Sequence, residues 1–158
     1  IMSNAKIYDV HLSDLDGDEY QDIVVFAGGV VKAFHNQGAS FSSLWSSPYH
    51  VFDGDDYAGI TKDGAVGDIN GDGIRDIVAA IRPATSNNSI GNLAVFLSDG
   101  PFGTWTMQSL DWMSMDTPIE NVELADLNGD DALDLIISTS YIDNGDSVGK
   151  VYVRLQNP

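Results

Sequence analysis

The sequence predicts an all-β fold built from short strands. An acidic nine-residue segment occurs three times, at residues 14–22, 68–76 and 126–134, and each copy runs directly into a short apolar stretch. Turn-forming residues interrupt the chain every several positions, and apolar residues do not recur at helical spacing over any long stretch. Short apolar stretches separated by turns are typical of strands, so we expect a β protein without long helices.

The composition is that of one globular domain with an acidic surface. The chain has 158 residues, of which 43% are hydrophobic, and this is enough for a sizeable core. Seven Lys and Arg residues stand against 24 Asp and Glu residues, which gives a formal net charge of -17. That charge opposes binding to nucleic acid or to an anionic membrane surface. The longest apolar runs are also far shorter than the roughly 20 residues that span a bilayer, so we expect no nucleic-acid partner and no membrane insertion.

The acidic residues are almost all aspartates. Only Glu19, Glu120 and Glu123 are glutamates. Asp is common in turns and in the sites of hard cations, whereas a merely soluble acidic surface would scatter its carboxylates and use Glu freely. Cations are therefore the expected partners. The chain has no Cys, which excludes disulfides and zinc–thiolate sites.

The repeats are predicted to be units of four short strands, of which the last unit is incomplete. An apolar strand rich in β-branched residues follows each acidic segment, at 23–26, 77–81 and 135–137. A second strand follows at 30–34, 93–97 and 151–155, and the first two repeats continue into a further strand at 44–47 and 105–110. Gly28-Gly29 forms a two-residue hairpin turn. The unbroken apolar character of the first set predicts cover on both faces of those strands.

Four-stranded units that repeat along a chain are typical of β-propeller blades. The starts of the three acidic segments lie 54 and 58 residues apart, which is about one blade. We therefore predict a single propeller-type domain over 1–158 with three blades, at 5–52, 58–112 and 118–158. The third blade is incomplete in this prediction, because the sequence stops where the other two repeats continue into another strand.

The acidic segments have the residue pattern of calcium-binding loops. Positions 1, 5 and 9 are Asp in every copy, position 3 is Asp or Asn, and position 4 is Gly. Calcium takes six to eight oxygen ligands, which short acidic loops supply from alternating positions, and the backbone carbonyl of position 7 is a further expected ligand. We predict about three Ca²⁺ ions, one in each repeat. The predicted ligands are Asp14, Asp16, Asp18, Tyr20 and Asp22, then Asp68, Asn70, Asp72, Ile74 and Asp76, then Asp126, Asn128, Asp130, Ala132 and Asp134.

Two other interpretations of the segments were weighed. Asp, Asn and Gly also form simple turns, but a simple turn does not require the same residues at positions 1, 3, 4, 5 and 9 of three copies. An EF-hand loop begins in the same way but has Glu at position 12 and flanking helices. Here position 12 is Val25, Ala79 or Ile137, inside a predicted strand. Without a cation, the converging carboxylates of the first copy are expected to raise one another's pKa values.

The segment 65–76, Ala-Val-Gly-Asp-Ile-Asn-Gly-Asp-Gly-Ile-Arg-Asp, resembles the FG-GAP or VCBS repeats of integrin α-subunit-like β-propellers. The resemblance covers nearly the whole chain. It implies calcium-bound hairpins that join the first two strands of each blade, and a role in adhesion, scaffolding or glycan binding. Position 6 departs from the usual Gly at Glu19 and Asp131, which we expect to strain the loop or to weaken calcium binding.

No catalytic constellation appears in the sequence. His11, His35 and His50 share no ligand spacing and are assigned to packing or to the surface, and no Ser lies in a Gly-x-Ser-x-Gly elbow. The segment 145–150 is one residue too short for a phosphate loop and is predicted to be a hairpin turn. We therefore expect a non-enzymatic, calcium-stabilised module of adhesion or structure that is extracellular, either secreted or at the cell surface.

Two alternatives to this function remain open. One is a carbohydrate-binding lectin propeller, and the other is a non-catalytic propeller fragment of a larger secreted protein. Trp45 and Trp105 occupy similar places in the first two repeats. Aromatic residues at matched positions are more often packed between blades than used to stack against sugars, so we predict packing for both.

Three blades do not readily close a ring, because closed propellers have four to eight. The unpaired edge predicted for the third blade would be a template for strand pairing between molecules. We expect the chain to self-associate, either as two copies in one ring or head to tail in a filament, or else to pack against other blades of a longer propeller. Glycans and surface proteins are the other partners considered.

Overall fold

The computed structural model describes residues 6–47, 60–82, 92–100, 105–108 and 117–156, and within these ranges the chain forms strands and turns without a helix. The prediction of an all-β fold is confirmed. The first sheet contains β1 (Ile7–Ser13), β2 (Asp22–Ala27), β3 (Val30–Asn36) and β4 (Phe41–Ser46). The second contains β5 (Ile60–Gly67), β6 (Asp76–Arg82), β7 (Asn92–Ser98) and β8 (Trp105–Gln108). The third contains β9 (Ile119–Ala125), β10 (Asp134–Asp143) and β11 (Asp146–Arg154).

All three sheets are antiparallel meanders in which strands adjacent in sequence are adjacent in space. The predicted strands after each acidic segment correspond to β2, β6 and β10, and the next ones to β3, β7 and β11. The predicted strand at 44–47 corresponds to β4, and the one at 105–110 to β8 in its described part. The blade boundaries themselves stay a prediction.

Two tight hairpins fix the pairing of neighbouring strands. Gly28-Gly29 joins β2 to β3, and its register pairs Ile23 with Phe34. Asn144 and Gly145 join β10 to β11, with φ values of 51° and 95°. Positive φ at both central residues is typical of a type I′ turn, whose twist suits a hairpin. A hairpin turn was predicted at 145–150, but the turn occupies 144–145, and residues 146–150 belong to β11, where they pair with β10.

Most of the core lies between the sheets, in two layers, and a smaller buried cluster of Val25, Ala27 and Val30 lies on the other face of the first sheet. The layer between the first and second sheets contains Val24, Phe26, Val31, Ile77, Phe96 and Trp105. The layer between the second and third sheets contains Val78, Leu93, Val95, Val122, Leu135 and Ile137. The second sheet is therefore covered on both faces, as its unbroken apolar strand β6 predicts.

The sheets pack in a row around their first strands. β5 lies between β1 and β9 and contacts both of them more extensively than any other strands from different sheets contact each other. The Val122 amide in β9 donates to Asp63 Oδ2 in β5 at 2.7 Å, and Lys62 forms an ion pair with Glu120 beside it. Sheets that face one another and meet at their first strands have a β-propeller-like arrangement.

The third sheet is less covered than predicted on its outer face, the face directed away from the second sheet. Leu135 and Ile137 are buried against the second sheet, but Ile136 points the other way and is only half-buried. Its cross-strand neighbour Val153 is exposed, as is Val151 further along β11. The prediction of cover on both faces is therefore wrong for β10, because among the described residues no further sheet packs on that side.

Candidate metal centre

The three acidic segments form the turns between the first and second strands of the sheets. Loop 1 (residues 14–22) connects β1 to β2, loop 2 (68–76) connects β5 to β6, and loop 3 (126–134) connects β9 to β10. Each loop begins just after the first strand and ends on the first residue of the second strand. The position predicted for these loops, joining the first two strands of each sheet, is confirmed.

The Asp at position 1 organises the turn by accepting several backbone N–H groups. In loop 1 the Asp14 carboxylate accepts from Gly17 at 2.7 Å, Asp18 at 3.2 Å and Glu19 at 3.0 Å. Asp68 and Asp126 accept from the corresponding amides of loops 2 and 3. These bonds wrap the backbone around one carboxylate, so the loop has a defined shape before any ligand is considered.

Positions 3 and 5 repeat the same local pattern. The side-chain oxygen of position 3 accepts from the amide of position 5, and the carboxylate of position 5 accepts from the amide of position 7. Loops 2 and 3 have one additional bond, in which the Asn at position 3 donates through Nδ2 to the Asp at position 5. This distance is 2.9 Å for both Asn70 to Asp72 and Asn128 to Asp130.

The Asp at position 9 is fully buried in every loop and fastens the loop to the sheet. Asp22, Asp76 and Asp134 are 0% exposed. One oxygen of Asp22 accepts from the position-2 amide of Leu15 at 2.9 Å, and the other accepts from Asn36 at the end of β3 at 2.8 Å. Asp76 and Asp134 make the same two bonds in their own sheets. A buried carboxylate held in this way can point its remaining lone pairs into the loop.

Positions 4 and 6 have left-handed backbone conformations in all three loops. Position 4 is Gly throughout, with φ between 77° and 80°. Position 6 is Gly73 in loop 2, with φ of 84°, but Glu19 in loop 1 and Asp131 in loop 3, with φ of 72° and 67°. The predicted strain at Glu19 and Asp131 therefore has a structural basis, since side chains disfavour this region.

Loop 1 brings two overlapping groups of acidic and histidine ligands together. Carboxylate oxygens of Asp14, Asp16 and Asp22 lie within 4.8 Å of one another. A second group, which shares Asp16, also includes Asp18 and the imidazole of His35. Side-chain oxygens that converge in this way from positions 1, 3 and 9 form a donor set that suits a hard cation.

The carboxylate environments agree only in part with the expected rise in pKa. Burial raises the pKa of Asp16, and the negative charges of Asp22 and Asp18 add to that effect. Burial likewise raises the pKa of Asp76, with the charges of Asp72 and Asp68 contributing. Both carboxyl groups would be stabilised in the charged form by a bound cation.

For Asp18 the expectation is wrong, and the pKa of Asp126 in loop 3 is lowered for the same physical reason. The amide of Tyr20 lowers the pKa of Asp18, with a smaller contribution from His35. The amide of Gly129 and its neighbours lower the pKa of Asp126. In both cases hydrogen bonds from the backbone outweigh the effect of desolvation on the carboxylate, and the sequence pattern alone did not reveal these bonds.

The family of the chain follows from its loops. A family model described as FG-GAP-like repeat matches residues 14–79 and again residues 68–137. The chain belongs to the FG-GAP-like repeat family. The two matches together cover most of the chain, and the resemblance noted in the sequence is confirmed. No curated protein gives a significant match, and no helix in the described ranges is long and apolar enough to cross a membrane.

The FG-GAP-like repeats run from loop to loop rather than from blade to blade. Each match begins at the Asp in position 1 of a loop and extends through the next loop into the strand behind it. Each match therefore contains the second, third and fourth strands of one sheet, the first strand of the following sheet and the beginning of its second strand, and the two matches overlap over loop 2.

Most of the predicted ligands are brought together in these repeats. The side chains at positions 1, 3, 5 and 9 all face their own loop through the hydrogen bonds described above. Their use as calcium ligands stays a prediction, as does that of the position-7 carbonyls of Tyr20, Ile74 and Ala132. Loops 2 and 3 also border a common cleft of about 610 Å³, which gives both access to solvent.

His35 is a site residue that the sequence reasoning missed. Its Nε2 lies 2.9 Å from Asp16 Oδ2 and 3.3 Å from Asp18 Oδ2. The hairpin turn predicted at Gly28-Gly29 could have revealed it. Strand pairing counted outward from that turn places residue 35 opposite Asp22. The prediction for His35, packing or a surface position, rests only on its lack of ligand spacing to the other histidines.

The two tryptophans are packed as predicted. Trp45 and Trp105 lie 5.5 Å apart between ring centroids, and Trp45 also meets the edge of Phe96 at 5.2 Å. Trp105 is buried, and its indole N–H donates to the Arg75 carbonyl at 3.2 Å. Both rings therefore contribute to the layer between the first and second sheets rather than to an open sugar platform.

Proposed function

We propose that the chain is an extracellular, non-enzymatic module of adhesion or structure that binds calcium in loops 1, 2 and 3. The observation that carries this proposal is the threefold repetition of one oxygen framework, with the same backbone bonds at positions 1, 3, 5 and 9. In each loop a buried Asp at position 9 fastens the turn to the sheet. A cation in that loop would stabilise the connection between the first three strands of its sheet.

The proposed role of calcium is to stabilise the fold rather than to support chemistry. Each loop is already shaped by its own hydrogen bonds, so an ion would enter a preformed turn and neutralise part of its charge. A ligand that binds only the folded state adds about 2.7 kcal/mol to stability when present at a hundred times its dissociation constant. For a chain of this length, each kcal/mol corresponds to a shift of about 2 to 4 °C in melting temperature.

Thermal unfolding with and without calcium tests the proposal. We expect the melting temperature to rise with calcium concentration and to fall on addition of EGTA, and calorimetric titration to give about three ions per chain. Substitution of one position-5 residue, Asp72→Asn, should remove about one ion. Asp143→Asn, which removes the same charge from an exposed position outside the loops, is the matched control. A melting temperature that does not respond to either calcium or EGTA would overturn the proposal.

The proposed assembly uses the two outer faces of the row of sheets. On the first sheet, Val10 and Leu12 alternate with His11, whose ring contacts Phe26 in the layer toward the second sheet, so they lie on the opposite face of β1. They are 49% and 65% exposed. On the third sheet, Val151 and Val153 are 69% and 53% exposed. Apolar faces of this kind favour packing against a further sheet. We propose that a second copy of the chain supplies it, with the outer face of one copy against the opposite outer face of the next.

Light scattering after size-exclusion chromatography tests this assembly. The expected result is a dimer or a larger species that dissociates when Val153→Lys is introduced into the outer face of the third sheet. Tyr20→Lys, which changes an exposed side chain in loop 1 instead, is the control that should leave the assembly unchanged. A monodisperse monomer would contradict self-association and leave the blades of a longer propeller as the occupants of these faces.

A further inference from the structure

Loop 1 differs from the other two loops in having an imidazole beside its carboxylates. His35 stands one residue before Asn36, whose amide is bonded to Asp22. The residues bonded in the same way to Asp76 and Asp134 are Ser98 and Gln156. Leu97 and Leu155 therefore occupy the place of His35 in the second and third sheets. Of these three equivalent residues, only His35 offers a nitrogen ligand.

Position 3 of loop 1 also differs, and the two differences meet at the same point. In loops 2 and 3 an Asn amide donates to the Asp at position 5. Asp16 replaces that amide with a second carboxylate oxygen, so the internal donor is lost. The imidazole of His35 lies where the missing donor would be needed, with its Nε2 2.9 Å from Asp16 and 3.3 Å from Asp18.

The buried oxygen of Asp16 is not satisfied by this imidazole. The Asp16 side chain is 0% exposed, and its Oδ2 has no hydrogen-bond partner among the described residues. The hydrogen bond of His35 Nε2 is made to Asp18, so the close approach to Asp16 lacks the alignment that a hydrogen bond needs. A buried carboxylate oxygen without a donor is costly, and a cation at that point would satisfy it.

We propose that Asp16, Asp18 and His35 form a mixed nitrogen–oxygen site for a divalent first-row transition metal. The three ligand atoms lie within 4.8 Å of one another. Two ligands at about 2.1 Å from an ion stand about 3.0 Å apart at an octahedral angle and about 3.4 Å apart at a tetrahedral angle. The separations of His35 Nε2 from Asp16 and Asp18, 2.9 and 3.3 Å, lie close to these two values. The site is distinct in composition from loops 2 and 3, which offer oxygen ligands only.

The chemistry of the ligands selects the class of ion. Imidazole suits zinc, copper, nickel and iron, whereas calcium and magnesium take oxygen ligands. With one imidazole and two carboxylates, the site favours an ion such as Zn²⁺ or Co²⁺ over Ca²⁺. The inference does not require the proposed calcium function, but it shares Asp16 and Asp18 with the calcium ligands proposed for loop 1. Zn²⁺ is therefore expected to displace calcium from loop 1 and to leave loops 2 and 3 occupied by calcium.

Calorimetric titration with Zn²⁺ in the presence of excess calcium tests the site. We expect one Zn²⁺ per chain in the unsubstituted protein, and an affinity at least about tenfold lower in His35→Leu, which introduces the residue found in the other two sheets. Asp16→Asn, the residue of loops 2 and 3, should weaken binding in the same direction. With Co²⁺ as the probe, visible absorption bands of the bound ion should change or disappear in His35→Leu.

His11→Gln is the matched control. His11 Nε2 also lies 2.9 Å from a carboxylate, that of Asp9, but no third ligand has been found with it among the described residues. We expect this variant to bind Zn²⁺ as the unsubstituted protein does. Unchanged Zn²⁺ affinity in folded His35→Leu, or an equal loss in His11→Gln, would overturn the inference. If His35→Leu does not fold, Asp16→Asn decides by the same comparison, and unchanged affinity there overturns it.

Discussion

At the scale of single residues, position 6 of the loops combines a strained backbone with a variable side chain. The left-handed conformation is present in all three loops, although only loop 2 has Gly there. A side chain in this region costs roughly 1 to 2 kcal/mol, which Gly avoids. Loops 1 and 3 therefore retain strain that loop 2 does not have. This difference was foreseen from the residue types, whereas the sign of φ required the structure.

Substitutions at position 6 should have opposite effects in different loops. Gly73→Ala is expected to destabilise the chain by about 1 kcal/mol, because Ala must adopt the same positive φ. Glu19→Gly should raise stability or leave it unchanged, since relief of strain is offset by the greater freedom of Gly in the unfolded chain. Urea unfolding in EGTA measures both effects without calcium. Gly28→Ala is the control, because Gly28 has neither a positive φ nor a close neighbour.

Asp63 illustrates a charged residue whose role lies in packing between sheets. It accepts the Val122 amide at 2.7 Å across the boundary between the second and third sheets. Burial raises the pKa of Asp63, and the negative charge of Asp9 adds to the effect. The folded chain therefore holds a proton on this carboxyl at a pH where the unfolded chain has released it. Stability falls as the pH rises through the interval between the two pKa values.

Asp63→Asn should remove this dependence. The amide oxygen of Asn can still accept from Val122, while the buried charge is absent. We expect the variant to be more stable than the unsubstituted chain at neutral pH, with a difference that shrinks as the pH falls toward the ordinary pKa of Asp. Urea unfolding between neutral and mildly acidic pH measures this difference, with exposed Asp146→Asn as the control. A stability difference that does not change with pH would contradict the assignment to Asp63.

At the scale of elements, the strands of each sheet follow from the sequence, but their closest contacts do not. Alternating turns and apolar runs predicted β2, β3, β6 and β7, because local patterns determine short strands. Gly64 in β5 gave no such signal. Its backbone lies against the ring of Phe26, which is fully buried in the layer between the first two sheets. The need for Gly there arises from a neighbouring sheet, which a pattern within one strand cannot reveal.

Gly64→Ala should therefore weaken the packing of the first two sheets. An added methyl group would overlap the Phe26 ring, and overpacking of a core costs about 1 to 3 kcal/mol. The expected fall in melting temperature is about 2 to 4 °C for each kcal/mol. Adding Phe26→Leu to Gly64→Ala should recover part of the stability that Gly64→Ala removes, because the two sites are in contact. Strictly additive effects in this double-mutant cycle would show that the contact is not the cause.

In the candidate site, too, local patterns could be predicted from the sequence, whereas contacts between elements could not. Positions 1, 3, 5 and 9 were predicted because their chemistry repeats in the sequence. The lowered pKa of Asp18 and the presence of His35 were not, because both depend on atoms brought in by backbone bonds and by β3. Repetition reveals what the loops share, whereas the differences between them appear only when neighbouring strands are in place.

At the scale of the whole molecule, the row of three sheets gives each sheet a different degree of cover. The second sheet is packed on both faces, and every described side chain of β6 from residue 76 to 81 is buried. The third sheet is packed on one face, and β11 is exposed along almost its entire length. Local unfolding should therefore require different free energies in the different sheets, because the protection of backbone amides from hydrogen exchange follows the burial and packing of each unit.

Native-state hydrogen exchange should reflect this order. We expect the amides of β6 to exchange only through global unfolding, and those of β11 to exchange earlier through local opening of the third sheet. Calcium should slow exchange most at the bonds that fasten the loops, such as those of Asn36, Ser98 and Gln156, if the ions stabilise the turns as proposed. Exchange is read by mass spectrometry of peptides from each strand, in EGTA and in calcium. Equal protection of β6 and β11 in EGTA at low protein concentration would mean that the three sheets open as one unit, and the difference in cover would then have no energetic consequence.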